Sequence, residues 1–208
     1  WGVPLLRFDV GALYSKWAGE TERQLRDALA SAEKMAPSVV WIDEIEKGFA
    51  SGGDEADGGV SRRVLATLLT WMAERKTRVF LVATANDVTK LPPELIRKGR
   101  FDEIFFVDLP GDLVRDGIFR LHMTKRRVAV DEALLPALVQ ASSGFSGAEI
   151  EAAIVAACYE AHGEQRAPDS QAVADELART KPLSVTRAES IEALRAWARE
   201  FGIATYVG

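Results

Sequence analysis

Cysteine occurs once in this chain of 208 residues, at Cys158, and histidine twice, at His122 and His162. A single thiol excludes an internal disulfide and fits a reducing compartment. Two histidines so far apart exclude a histidine-built metal centre. Long apolar runs are missing too: the longest are strand-length pieces such as Val79-Phe-Leu-Val-Ala83, whereas a membrane helix needs roughly 20 such residues. The opening Trp1-Gly-Val-Pro4 carries no basic stretch ahead of an apolar one, so no signal peptide is expected. Nor is there a basic excess. The net charge is −5, which removes the overall electrostatic footprint of a nucleic-acid binder. Lys125-Arg126-Arg127 is a small basic patch, read as a solvated helix end. What is present, 48% hydrophobic and 27% charged residues, is the composition of a globular protein, expected to be soluble and cytoplasmic.

The chain changes texture once. Residues 3–10 read as a strand. Residues 20–35 then read as a helix, with Leu25, Ala28, Leu29 and Ala32 on one face, stopped by Pro37. Val39-Val-Trp-Ile42 is a short continuous apolar run, the pattern of a strand buried on both faces. Residues 61–75 return to helical spacing through Val64, Leu65, Leu68, Leu69 and Met72. Residues 78–85 and Ile104–Val107 give two further strands. This alternation predicts a parallel sheet flanked by helices. Between two of these elements lies Gly48–Gly59, acidic and glycine-rich, which reads as a mobile loop, either a solvated connector or a segment facing a partner.

Beyond Asp108-Leu-Pro-Gly111 the pattern is helical: residues 112–126, 131–141 and 146–162. Ser146-Gly-Ala-Glu149 has the form of a capping box. Residues 163–172, with Gly163 and Pro168, read as a flexible connection. A last amphipathic helix over roughly 187–200 follows a second candidate capping box, Thr186-Arg-Ala-Glu189.

Asp43 and Glu44 follow the apolar run 39–42 directly. Paired acids at the C-terminal end of a strand occupy the place where open α/β sheets bind ligands. The first can hold a hydrated Mg²⁺ beside phosphates, and the second can orient an attacking water or take its proton. The same letters also arise where any strand meets a turn. Asn86 ends the next strand and can hold a water or a phosphate oxygen, or simply start a turn. Arg97 and Arg100, three apart at a helix end, can offer planar forks of donors to a neighbouring subunit's phosphate, or lie idle on the surface.

Taken together, Ser15-Lys-Trp-Ala-Gly-Glu20, Trp41-Ile-Asp-Glu44, Ala83-Thr-Ala-Asn86, Arg97-Lys-Gly-Arg-Phe-Asp102 and Gly144-Phe-Ser-Gly-Ala-Glu149 come in a family order. The chain resembles AAA+ ATPases of the branch that includes valosin-containing protein. The stretches Leu91–Pro110 and Pro182–Thr186 look like the hypothetical-chloroplast-frame AAA proteins of plastids and bacteria. The resemblance spans nearly the whole chain. It implies an α/β subdomain at 1–111, a P-loop NTPase-like parallel sheet, and a helical lid subdomain at 112–208.

The resemblance also implies ATP/ADP and Mg²⁺ as ligands. Asp43 would assist Mg²⁺ binding, directly or through water, and Glu44, completing the Walker B acid pair, would activate water. Asn86 would be the first sensor. Arg97 and Arg100 would be arginine fingers reaching into a neighbour's site, which requires a homo-oligomeric ring, expected to be a hexamer. Lys16, Trp17 and Ala18 match a pore loop that grips a protein substrate; the competing view packs Trp17 in the core. His122 matches a histidine near the adenine, or is a partly buried structural histidine. Gly147 and Ala148 match the lid-helix start beside the nucleotide. Cytoplasm or plastid stroma is the expected location, and neither nucleic acid nor a membrane is an expected partner.

One family segment is missing. No Gly-x4-Gly-Lys-Ser/Thr occurs in the sequence, and only Gly2, Gly11 and Gly19 precede Asp43. In the family that P-loop supplies most of the phosphate grip, and the first strand of the sheet goes with it. The expectation is therefore a part of a longer protein. The alternative is a truncated or degenerate subunit without its own ATPase activity, acting as a scaffold or lending arginine fingers in trans.

Overall fold

The computed structural model describes residues 1–9, 18–49, 55–97 and 99–206. It divides into two compact units, Trp1–Glu103 and Ile104–Gly208. The division falls ahead of the texture change at residue 111, because the strand that precedes Asp108 pairs within the second unit.

In the first unit β1 (Leu5–Asp9), β2 (Ser38–Asp43) and β3 (Val79–Ala83) form a parallel sheet in that order. The register sets Asp9 beside Asp43 and Ile42 beside Ala83. Helices α1 (Ala18–Lys34) and α2 (Glu55–Glu74) supply the crossovers. Leu25, Leu29 and Ala32 of α1 and Val64, Leu68 and Met72 of α2 share a core with Val40, Ile42 and Val79. These spacings are the one-face periodicity of an amphipathic helix.

Strand β2 is not buried on both faces, as its apolar run suggested. Burial alternates along it: Ser38, Val40 and Ile42 are buried, while Val39, Trp41 and Asp43 are only partly so. On the neighbouring strands Leu5, Phe80 and Val82 are exposed. Among the described residues the helices cover one face, so the pleat sends every second side chain away from the core.

Helix α2 also corrects the loop expected over Gly48–Gly59. Residues 45–48 form a 3₁₀ turn and the helix already starts at Glu55; residues 50–54 lie outside the described residues. Gly58 and Gly59 are carried by the long turn-by-turn ladder that follows.

The short α3 (Pro93–Ile96) ends the first unit's elements. The second opens with β4 (Phe105–Val107), which pairs in parallel with β5 (Ala204–Tyr206) and not with the three-stranded sheet. Its helices are α4 (Asp112–Lys125), α5 (Leu135–Ala141), α6 (Gly147–Gly163), α7 (Ser170–Arg179), the single turn α8 (Leu183–Thr186) and α9 (Ala188–Glu200). Phe119, Met123, Leu138, Ile150, Ile154 and Val173 form the centre of its core. Arg195 of α9 makes a two-pronged contact with Asp108, Nε to Oδ2 at 2.9 Å and Nη2 to Oδ1 at 3.0 Å, tying the helix to the exit of β4.

Two local readings change here. The expected connection over 163–172 gives way to α7 from Ser170 onward, capped by Asp169 accepting from the N–H of Ala172 and anchored by Val173 and Leu177. The capping box at Ser146 and Glu149 forms with both reciprocal bonds, but the one at Thr186 does not. Thr186 closes α8, and Arg187 is the residue that precedes α9. Glu189 is therefore one position too close to the helix start to reach back.

Candidate functional site

The C-terminal ends of β2 and β3 are bound together through one hydroxyl. Thr84, the first residue after β3, donates from Oγ1 to Asp43 Oδ1 at 2.6 Å and accepts from the N–H of Glu44 at 3.0 Å. The main chain repeats the tie: Thr84 N–H donates to Ile42 at 2.9 Å, and Ile45 N–H donates to the Thr84 carbonyl at 2.9 Å. From β1, Arg7 Nη2 reaches the other carboxylate oxygen, Asp43 Oδ2, at 2.9 Å, while its guanidinium lies 4.8 Å from the centre of the Trp41 ring. Thr84's hydrogen bond, supported by Arg7, outweighs desolvation and holds the Asp43 carboxyl below the ordinary aspartate range.

Glu44 leaves the strand in a left-handed conformation, φ 49° and ψ 53°. For a residue with a side chain this is a strain of about 1–3 kcal/mol, kept only where the surroundings fix it. Here they do: besides the bond to Thr84, Glu44 Oε1 accepts from Asn86 Nδ2 at 2.9 Å, and Oε2 pairs with Lys47. The turn thus points the Glu44 carboxylate across to the next strand's exit. Two residues further, Glu46 is buried and its Oε1 accepts the backbone N–H of Asn86 at 3.0 Å.

The structure therefore brings together Asp43, Glu44 and Asn86, three of the residues singled out from sequence. Arg97 follows α3 on the surface, and among the described residues it makes no side-chain hydrogen bond or ion pair. Arg100 is partly buried, its Nη1 donating to the Leu69 carbonyl at 2.8 Å. Lys16 and Trp17 lie outside the described residues, and Ala18 is known only as the first residue of α1.

His122, Gly147 and Ala148 belong to the second unit. His122 Nδ1 lies 3.2 Å from both Glu151 Oε1 and Arg126 Nη1, and Arg126 Nη2 pairs with the same Glu151 oxygen at 2.5 Å. The hydrogen bond from Arg126 keeps the Glu151 carboxyl below its ordinary range. Gly147 opens α6, where a Cβ would meet Ile118 Cδ1 at 3.4 Å, and Ala148 beside it is exposed. Gly144 shows why that segment needs glycine: its φ is +80°, and a Cβ would come within 2.2 Å of Ser184 Oγ.

Arg7, Thr84 and Glu46 were not singled out from sequence. Thr84 precedes Asn86 by two residues, but only the β2–β3 register reveals that it faces Asp43. Glu46 differs from Asp43 and Glu44 just before it by its burial, which the sequence does not show. A cleft of about 720 Å³ lined by Glu22, Arg26, Glu33, Arg63, Trp71 and Arg75 contains none of these site residues. Its walls belong to α1, α2 and the residues just after α2, and it has no part in the chemistry.

A parallel α/β sheet with paired acids at a strand exit, followed by a helical subdomain, defines a P-loop NTPase-like domain with a helical lid. The solved AAA domain of FIGL-1 has the same fold, with a TM-score of 0.76 over 94% of this chain and 67% of that one, at 21% identity. The family model for AAA, the ATPase family associated with various cellular activities, matches residues 1–109, and the chain belongs to that family.

Among curated relatives, the uncharacterized AAA domain-containing protein ycf46 of Pyropia yezoensis is 41% identical over 95% of this chain and 40% of its own length. The ycf46 protein of Guillardia theta is 42% identical over 95% of this chain and 39% of its own length. The cell division cycle protein 48 homolog of Archaeoglobus fulgidus is 33% identical over 67% of this chain and 19% of its own. The chain spans about two fifths of the length of the ycf46 relatives. No helix among the described residues is long and apolar enough to cross a membrane.

Proposed function

We propose that this chain forms the water-activating half of an ATPase site whose phosphate grip comes from residues other than these 208. In this reading the parent protein hydrolyses ATP to remodel a macromolecule, most naturally a protein, as a homo-oligomeric ring of hexameric size. The observation that carries it is the exit of β2 and β3, where Thr84 fixes Asp43 and Glu44 while Asn86 meets the Glu44 carboxylate.

Asp43 is the group suited to a cation. Its side chain is 31% exposed and its carboxyl is held ionised, but both oxygens already accept hydrogen bonds. No cluster of three or more His, Cys, Asp or Glu among the described residues could enclose a metal. This donor set fits Mg²⁺ kept largely hydrated and carried in with phosphates, Asp43 holding it through water. When bound, the ion would neutralise phosphate charge.

Glu44 then takes a proton from water as the water oxygen bonds to the γ-phosphorus in line with the departing ADP oxygen. To do so its carboxylate must give up one present partner, and Lys47 on Oε2 is the one proposed to leave. Asn86 holds the other oxygen without adding charge. Arg97, exposed and unpaired among the described residues, is the better placed arginine finger for a neighbouring site; Arg100 would have to leave the Leu69 carbonyl first. His122, Gly147 and Ala148 are proposed to meet the base. Lys16, Trp17 and Ala18 are proposed to grip the substrate, and cytoplasm or plastid stroma is the proposed setting.

The test is phosphate release by the protein as its reading frame encodes it. Glu44→Gln should lower kcat by about 100-fold or more while a fluorescent ATP analogue still binds. Unchanged turnover in Glu44→Gln would overturn the role of Glu44.

A second reading is favoured by the missing Gly-x4-Gly-Lys-Ser/Thr: a subunit without activity of its own, acting as a scaffold or lending Arg97 and Arg100 in trans. It predicts no phosphate release from the protein alone, and stimulation of an active partner subunit that Arg97→Ala abolishes.

A further inference from the structure

Glu46 lies on the 3₁₀ turn Ile45–Gly48, just past the acid pair, and the mechanism above does not use it. The residue is 5% exposed. Its Oε1 accepts the Asn86 N–H, but its Oε2 is buried and has no donor among the described residues. A buried carboxylate with one oxygen unanswered is unfavourable against an apolar side chain of the same volume. Packing alone therefore gives no reason for an acid here. What the acid does provide is an acceptor at one point, the main chain of the residue whose side chain holds Glu44.

Among the described residues the Asn86 main chain has no other hydrogen bond. Strand β3 ends at Ala83, and the last main-chain bonds between the two exits involve Thr84. Among the described residues, Glu46 is the partner that the Asn86 N–H finds. Asn86 is thus held twice from a single turn, by its backbone to Glu46 and by its amide Nδ2 to Glu44 Oε1 at 2.9 Å.

We infer that Glu46 is a positioning residue, which fixes the Asn86 backbone so that the Asn86 amide stays on the Glu44 carboxylate. Its effect on turnover rests on the ATPase reading above; its effect on Asn86 does not. Losing the acceptor frees the segment after β3, and Glu44 loses the neighbour that orients it.

The experiment compares Glu46→Leu, which fills the volume without an acceptor, with Glu46→Gln, which keeps an acceptor oxygen. Misplacement on this scale should lower kcat in Glu46→Leu by about 10- to 100-fold, with KM for ATP and the thermal midpoint little changed. Glu46→Gln should restore most of the rate. In an Asn86→Ala background Glu46→Leu should add no further loss, because both act through one residue. In ¹⁵N NMR spectra, Glu46→Leu should shift the backbone and side-chain amide signals of Asn86 together.

Unchanged kcat and unchanged Asn86 signals in Glu46→Leu would overturn the inference. So would a loss that Glu46→Gln does not rescue and that comes with a lowered thermal midpoint, which is plain destabilisation. If the unmodified protein releases no phosphate, the ATPase reading fails separately. The Asn86 signals then decide this inference alone: moved together they uphold it, unmoved they overturn it.

Discussion

A single threonine hydroxyl does much of the work at the strand exits. Thr84 both donates to Asp43 and receives the Glu44 N–H, so it sets the direction of one acid and the protonation of the other. Replacing it by valine keeps the shape and removes both bonds. In Thr84→Val the Asp43 carboxyl should rise toward its ordinary value of 3.8, as followed by NMR titration of its side-chain carbon. The sign matters for stability. A depressed carboxyl pKa stabilises the fold above the unfolded value, and that contribution is lost as pH falls through the folded one. Thr84→Val should therefore soften the acid-side fall in stability below about pH 4. No change in the Asp43 titration would mean that Arg7 alone holds the charge.

The legibility of these residues differed for a physical reason. Asp43, Glu44 and Asn86 could be picked out because acids and amides directly after apolar runs are visible in one dimension. Thr84 and Arg7 could not, because their meaning comes from lying beside Asp43 on adjacent strands. Glu46 was hidden differently: burial alone separates it from the acids around it.

At the scale of elements, local signals were reliable where the chain itself closes the contact. The Ser146–Glu149 box formed because both partners lie within one turn. Ser146→Ala should cost about 1 kcal/mol in urea or thermal unfolding. Thr186→Ala should fall within about 0.5 kcal/mol of the parent, since Thr186 ends α8 and, among the described residues, its hydroxyl meets only the Pro182 carbonyl, at 3.5 Å. Equal losses in the two variants would contradict the cap assignments. Helix α7 and the early start of α2 escaped the sequence reading for a related reason. Their polar and glycine-rich first turns look like loops until Val173 and Leu177, or Val64 and Leu68, are seen in a core.

At the scale of the whole molecule there are two cores. One is centred on Val40, Ile42, Leu29 and Leu68, the other on Phe119, Leu138, Ile150 and Ile154. Phe119 is fully buried in the second. Phe119→Ala should cost that unit about 3–5 kcal/mol. By hydrogen exchange, the loss of protection should appear in α4 to α7 and leave β2 and β3 close to their original values. Equal loss in both units would mean that they unfold as one.

The sequence by itself determined the elements whose period is written in their own residues, the acid pair at a strand exit, and the family to which the order of motifs pointed. It also determined that the phosphate-binding signature is not among these 208 residues. Only the tertiary structure decided which strands pair. It set β4 against β5 and left β2 with one covered face, because strand partners are chosen by contacts between residues far apart in the chain. The same cause brought Thr84, Arg7 and Glu46 to the site: their positions depend on register and burial, which no local spacing encodes.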